Sequence, residues 1–164
     1  MTPMKGLRTV PAWSLVAIGI LISFTVMAAR AATPFDALLG TWSGSGQIRY
    51  EDSPSESIRC TAYYSESNQR LRLAIRCRSA SNQIEIRGLL AQRGDRITGT
   101  WEERAFNVSG EAVGRMSGGR MALSITGGVF SGSMTVSYGG RRQVVTIAIQ
   151  GLSIKSVNVT LVRS

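Results

Sequence analysis

A chain of 164 residues with 19 basic and 10 acidic side chains, net charge +9, no histidine and two cysteines suits one domain built round a single continuous core. The missing histidines remove the usual general base, and two cysteines without histidine do not complete a zinc site. The positive balance favours anionic neighbours such as lipid head groups, polyanionic glycans or acidic proteins.

The first residues, "MTPMKGLRTVPAWSLVAIGILISFTVMAARAA", open with positive Lys5 and Arg8, run apolar from Trp13 to Met27 and end in small residues. That is the layout of a secretory signal. Ala29-Arg30-Ala31 fits the small-x-small rule, so a leader over 1–31, cleavage before Ala32 and one domain over 32–164 are expected. An uncleaved anchor is the alternative and would be the chain's only membrane contact. The uncharged run from Thr9 to Ala29 has Pro11, Ser14, Ser23 and Thr25 in it, which is marginal against the roughly 20 apolar residues a span needs. Cleavage removes Lys5, Arg8 and Arg30 and no acid, so 19 basic residues become 16 against 10 acidic, net +6, with Lys155 the one remaining lysine. Export also sets nucleic acid aside as a partner.

Next, "TPFDALLGTW" predicts one short helical turn starting near Thr33 or Asp36. From Thr41 onward apolar and polar residues alternate almost without pause. The alternation predicts strands over 41–50, 57–65, 70–78, 83–92, 96–104, 106–114, 119–126, 129–138, 142–150 and 153–162. They are separated by turn-like pieces such as "EDSPSE", "SASN", "RGD", "SGG" and "YGGRR". Short strands on tight turns remove their exposed edges most simply by closing, so the expected fold is all-β, a single antiparallel up-and-down barrel of about 8–10 strands. A two-sheet sandwich is the alternative. Inward parity falls on Trp42, Tyr50, Trp101, Phe106 and Phe130 among the aromatic residues, and on Gly44, Gly46, Gly99, Gly110 and Gly132, where glycine lets the strands coil tightly; a bulky replacement at Gly99 or Gly132 is expected to fill any cavity.

The stretch "IRCTAYYSESNQRLRLAIRC" holds both cysteines. A hairpin centred between Asn68 and Gln69 pairs Ser67 with Arg70, Tyr64 with Leu73 and Ala62 with Ile75, and puts Cys60 directly opposite Cys77. That pair is of the closer, non-hydrogen-bonded kind, near enough to be bridged. In an oxidising compartment a disulfide is expected, stabilising by about 3 kcal/mol. The same register gathers Ile58, Cys60, Ala62, Tyr64, Leu71, Leu73, Ile75 and Cys77 on one face. On the other, Arg59 stands opposite Arg78, Arg72 opposite Ser65 and Arg76 opposite Thr61, around Tyr63. A second hairpin turning at Ala80-Ser81 puts Glu85 opposite Arg76.

"LLGTWSGSGQIRY", "ESIRCTAYY", "LRLAIRCRS", "ITGTWEER", "FNVSG" and "SGSMTVSY" together resemble a family of small exported proteins of rhizobia-like Gram-negative bacteria, over essentially all of 32–164. The resemblance implies export and one β domain, and no activity. Gly40-Thr41-Trp42 also resembles the Gly-x-Trp that opens the barrel of lipocalins and other calycins, without their long loops and C-terminal helix. Disulfide-bearing periplasmic barrels that inhibit proteases and lysozymes are similar in size and leader.

No catalytic constellation emerges. Glu102 and Glu103 are adjacent and so face opposite sides of a strand; Glu103 shares the parity of Trp101 and is expected to be solvated at a barrel mouth. No Gly-x-Ser-x-Gly elbow is present, and no glycine-rich piece precedes a helix that could cradle phosphate. The sequence therefore reads as a monomeric, periplasmic or secreted, non-enzymatic binding module without cofactor or metal. Its interior, lined by Trp42, Tyr64, Trp101, Phe106 and Phe130, would hold a small apolar or amphipathic ligand in the manner of a lipocalin. The alternative is an inhibitor or envelope-associated protein gripping an anionic partner with Arg59, Tyr63, Arg72, Arg76 and Arg78.

Overall fold

Alternation is the organising signal of the chain, and it is realised as strands throughout. The computed structural model describes residues 35–164; the leader read over 1–31, its cleavage site and Thr33 lie outside the described residues. The strands are β1 (Gly40–Tyr50), β2 (Glu56–Ser67), β3 (Arg70–Arg78), β4 (Gln83–Arg93), β5 (Arg96–Glu103), β6 (Val108–Ser117), β7 (Arg120–Gly127), β8 (Phe130–Gly139), β9 (Arg142–Gln150) and β10 (Ile154–Arg163). Each pairs antiparallel with its neighbour in the chain, and β10 pairs back onto β1. The sheet is thus a closed ten-stranded up-and-down barrel, not a sandwich, and closure leaves no strand edge unpaired.

Register follows turn chemistry. Asn68 and Gln69 both have left-handed backbones, φ 52° and 60°, as a two-residue hairpin turn with right-handed strand twist requires. That fixes Ser67 opposite Arg70 and Cys60 opposite Cys77, and the two cysteines are joined in a disulfide with Cα atoms 4.1 Å apart. The next hairpin sets Arg76 opposite Glu85.

The two ends of the barrel differ. At the end where the chain enters, the links 68–69, 94–95, 118–119 and 140–141 are two residues each. The opposite end carries the longer links 51–55, 79–82, 104–107 and 151–153, together with the two-residue turn 128–129. The short-turn end is sealed. Residues 35–38 form a single turn in which the Leu38 amide donates to the Phe35 carbonyl at 2.8 Å, and Phe35 and Leu38 are wholly buried beneath the barrel. The helical turn expected here is thus one hydrogen-bonded turn whose role is to plug the floor.

Trp42 and Arg163 lock that plug. The Trp42 indole N–H donates to the Leu38 carbonyl at 2.7 Å. The Arg163 guanidinium lies over the Trp42 ring, 4.6 Å from its centroid, and donates to the carbonyls of Leu39 and Ala37. One side chain of the last strand therefore holds the first strand and the entering turn together.

Two expectations need correction. β6 begins at Val108, not Phe106, because residues 104–107 are a turn with Asn107 left-handed at φ 54°. Gly99 and Gly132 are not vacant inward sites: a Cβ there would lie 2.2 Å from the Leu89 carbonyl oxygen and 2.3 Å from that of Ala148. The strands coil too tightly at both for any side chain, so a bulky replacement breaks the sheet before it fills the interior.

Replacing Arg163 by Ala removes a cation–π contact and two charge-assisted bonds to carbonyls that lose their partner. We expect it to cost about 2–4 kcal/mol in urea unfolding, with Arg163→Lys recovering part. A loss below about 0.5 kcal/mol would mean that the floor is held by apolar burial alone.

Candidate functional site

The interior is filled unevenly along the barrel axis. In the sealed half Trp42, Leu71, Leu90, Ile97, Met116, Met121, Val136 and Leu161 are buried, whereas in the other half Ile84, Ile86, Trp101, Ile125, Met134, Ile149 and Ile154 are only partly so. The difference is a cavity of about 360 Å³ that opens between the longer links, within the size range of small-molecule sites. Ten strands enclose more volume than the eight that side chains just fill, and the plug occupies only one end.

The cavity wall is apolar apart from Tyr50, Asn82, Glu103 and Ser153. Trp101 and Phe130 meet with ring centroids 5.3 Å apart. The indole spans strands β6 and β7 because Gly110 and Gly127 share its row; a Cβ at Gly127 would lie 2.7 Å from the ring. Its N–H donates to the Glu111 carbonyl at 3.3 Å. The mouth has two unlike lips. On one, Tyr50 OH accepts from the Asn82 amide at 2.7 Å, and Ser81 donates to Glu56, whose carboxyl is held below the usual range chiefly by its Ser79 and Ser81 hydrogen bonds. The other lip presents exposed Phe106, Val129 and Leu152, one on each of three successive links.

Of the aromatic residues expected to line the interior, Trp101 and Phe130 face the cavity, while Trp42 and Tyr64 belong to the sealed floor. Phe106 is 59% exposed and lies on the rim, because its link is tied down by Glu103. That carboxylate is 8% exposed, not solvated. Its oxygens accept from the Glu85 amide at 2.8 Å and the Phe106 amide at 2.7 Å, so it fixes the mouth. Glu102 faces outward.

On the outer face the hairpin register places Arg59, Tyr63, Arg72, Arg76 and Arg78 together, Tyr63 being 56% exposed. Glu85 breaks up their field, standing 3.7 Å from Arg76 and 2.8 Å from Arg87. The Arg87 hydrogen bond is the main reason its carboxyl is held below the usual range. A shallow depression of about 690 Å³ beside Tyr63 and Arg72 is lined by Glu102 and Glu111 as well as Arg87. A larger excess of positive charge lies elsewhere, with Arg115 paired to Asp95 at 3.7 Å within it. Every two-residue turn at the sealed end is flanked by exposed arginine: Arg70, then Arg93 and Arg96, then Arg115 and Arg120, then Arg141 and Arg142. The acidic side chains there are Asp36, Glu66 and Asp95. Sequence reasoning missed this cluster, although turn position and strand direction carried the signal.

With this geometry established, the comparisons are informative about fold. No protein-family model and no curated protein matches the chain. Among solved structures it is similar to Rv2717c from M. tuberculosis, TM-score 0.64 at 14% identity, covering 81% of this chain and 98% of that one. It is also similar to the S-type phycobiliprotein lyase CPES from Guillardia theta, TM-score 0.59 at 11% identity, covering 79% of this chain and 90% of that one. At these identities the likeness shows the barrel and carries no substrate across.

Tyr64 and Gln143 bridge the floor from β2 to β9, the Gln143 amide donating to the phenol oxygen at 3.0 Å. Burial pushes the Tyr64 hydroxyl up to about 12, the Gln143 hydrogen bond opposing the shift. The unfolded chain then ionises near the ordinary value of 10.0 while the folded one does not, so this contribution is complete below pH 10 and lost as pH rises to about 12. Urea midpoints should fall over that window. Tyr64→Phe should flatten the fall without abolishing it, since burial also raises Tyr138, and should cost about 1–3 kcal/mol at neutral pH by leaving the Gln143 amide unpaired. An unchanged slope in the variant would remove Tyr64 as its source.

Proposed function

We propose that this chain is an exported, non-catalytic barrel that carries a small apolar or amphipathic molecule, lipocalin-like in use. The observation that carries the reading is the open apolar cavity above a sealed floor. Core positions normally interdigitate to crystal-like density; here the sealed half does so and the open half does not. The exposed apolar lip at the mouth gives an amphiphile a continuous path inward. Export rests on the leader layout and on a disulfide suited to an oxidising compartment.

Native mass spectrometry of the periplasmic protein tests this directly. The folded sample is expected to carry an extra mass that denaturation releases. Ala112→Leu adds bulk on the cavity wall and should abolish that mass while urea unfolding stays within about 1.5 kcal/mol of wild type. A folded wild type that arrives empty and binds no added amphiphile would sink the carrier reading.

The arginine cluster at the sealed end favours a second reading, attachment to an anionic phospholipid surface. Cations set at one level by tight turns suit a charged plane, each adding about 1 kcal/mol near it. Cosedimentation with phosphatidylglycerol vesicles should weaken as salt rises and should drop at least about tenfold when Arg93 and Arg142 are both replaced by Glu. Reversing Arg72 and Arg76 on the hairpin should matter less, since Glu85 already offsets that face. Equal losses from the two pairs would return the role to the hairpin strip.

A further inference from the structure

The cavity offers an anion nothing to pair with, and that limits its occupants. Resting on the carrier reading, we infer that the site takes uncharged or cationic amphiphiles and rejects anionic head groups, against the sign of the protein's own net charge.

Among the described residues no arginine or lysine lines the cavity. The one carboxylate in its wall, Glu103, is held there by two backbone amides. Of the basic groups toward this end, Arg76 and Arg87 lie against Glu85, Arg78 donates to Gln83 and Lys155 contacts Glu51 at 2.8 Å, while Arg104, on the 104–107 link, adds its field at Glu85 and does not line the cavity. A carboxylate or phosphate drawn into the mouth would lose hydration with no opposite charge to replace it, and would do so beside Glu103. A hydroxyl or ammonium head meets the acceptor oxygens of Glu103 and Tyr50 at the same level, while its chain fills the apolar space below. The exterior pulls the other way. With 16 basic and 10 acidic side chains after cleavage, long-range attraction favours anions, so a preference of opposite sign can come only from the cavity.

The test compares three probes with one chain length and different heads: dodecylamine, dodecan-1-ol and dodecanoate. Each is titrated at neutral pH into the disulfide-bonded protein against bound N-phenyl-1-naphthylamine. The amine and the alcohol are expected to displace the dye at concentrations at least about tenfold below dodecanoate. Glu103→Gln should narrow the gap, and Ile149→Lys, which sets a cation in the wall, should reverse it. If either variant fails to fold, the wild-type order decides alone. Dodecanoate binding within about threefold of the alcohol would overturn the inference and leave the carrier reading standing. Failure of the dye and all three probes to bind a folded protein would overturn both.

Discussion

Closing ten strands into one barrel creates more interior than strand side chains can fill, and the structure resolves this at one end only. The Trp42–Arg163 stack is where that resolution is fixed. Arg163, at the end of the last strand, holds the indole of the first strand, one carbonyl of the entering turn and the Leu39 carbonyl that follows it. The apolar residues Phe35 and Leu38 thereby become a floor. A turn of four residues has no stability of its own; it is ordered because its apolar side chains and its carbonyls are both satisfied by strands already paired.

The cavity and the disulfide follow from this asymmetry. Above the floor, packing thins and the wall must be held by other means. Cys77 is paired with Ile84, a cavity-lining residue, so the disulfide ties β2 to β3 in the half of the barrel where side-chain interdigitation gives least. Glu103 does comparable work at the mouth, where one carboxylate satisfies both the Glu85 amide of β4 and the Phe106 amide of the link between β5 and β6. A buried charge is tolerable on those terms because each oxygen has a donor, and it leaves the mouth negative at a point where the rest of the wall is apolar.

What the sequence made legible divides along the range of the interactions. The register from Ser67–Arg70 to Cys60–Cys77 was readable because three local signals agreed: alternation, turn position and cysteine spacing. The barrel itself was readable from alternation and turns. Arg163 was not, because its partners lie more than a hundred positions away and meet it only after closure. Phe106 lines the cavity as expected but only at its rim, because parity treats as strand a residue whose backbone leaves the sheet to bond a carboxylate. Gly99 and Gly132 were legible as places where strands coil tightly; parity could not show that the coil there leaves no room for a Cβ at all.

The charge pattern gives the two functional readings a common geometry. Mouth and arginine cluster sit at opposite poles because consecutive antiparallel strands send alternate links to alternate ends, and the arginines cluster on the tight turns of one end. A barrel resting on an anionic surface by its sealed pole would present its mouth away from that surface. It would then exchange its ligand with a soluble partner or with solvent, not with the bilayer beneath. A barrel that collected its ligand from a bilayer would have to turn over and set Phe106, Val129 and Leu152 against it, giving up the favourable contact of the arginine pole. The field of the exterior and the chemistry of the cavity thus constrain one another. The sign of the head group that the cavity accepts determines whether an anionic surface can be the source of the ligand or only the place where the carrier waits.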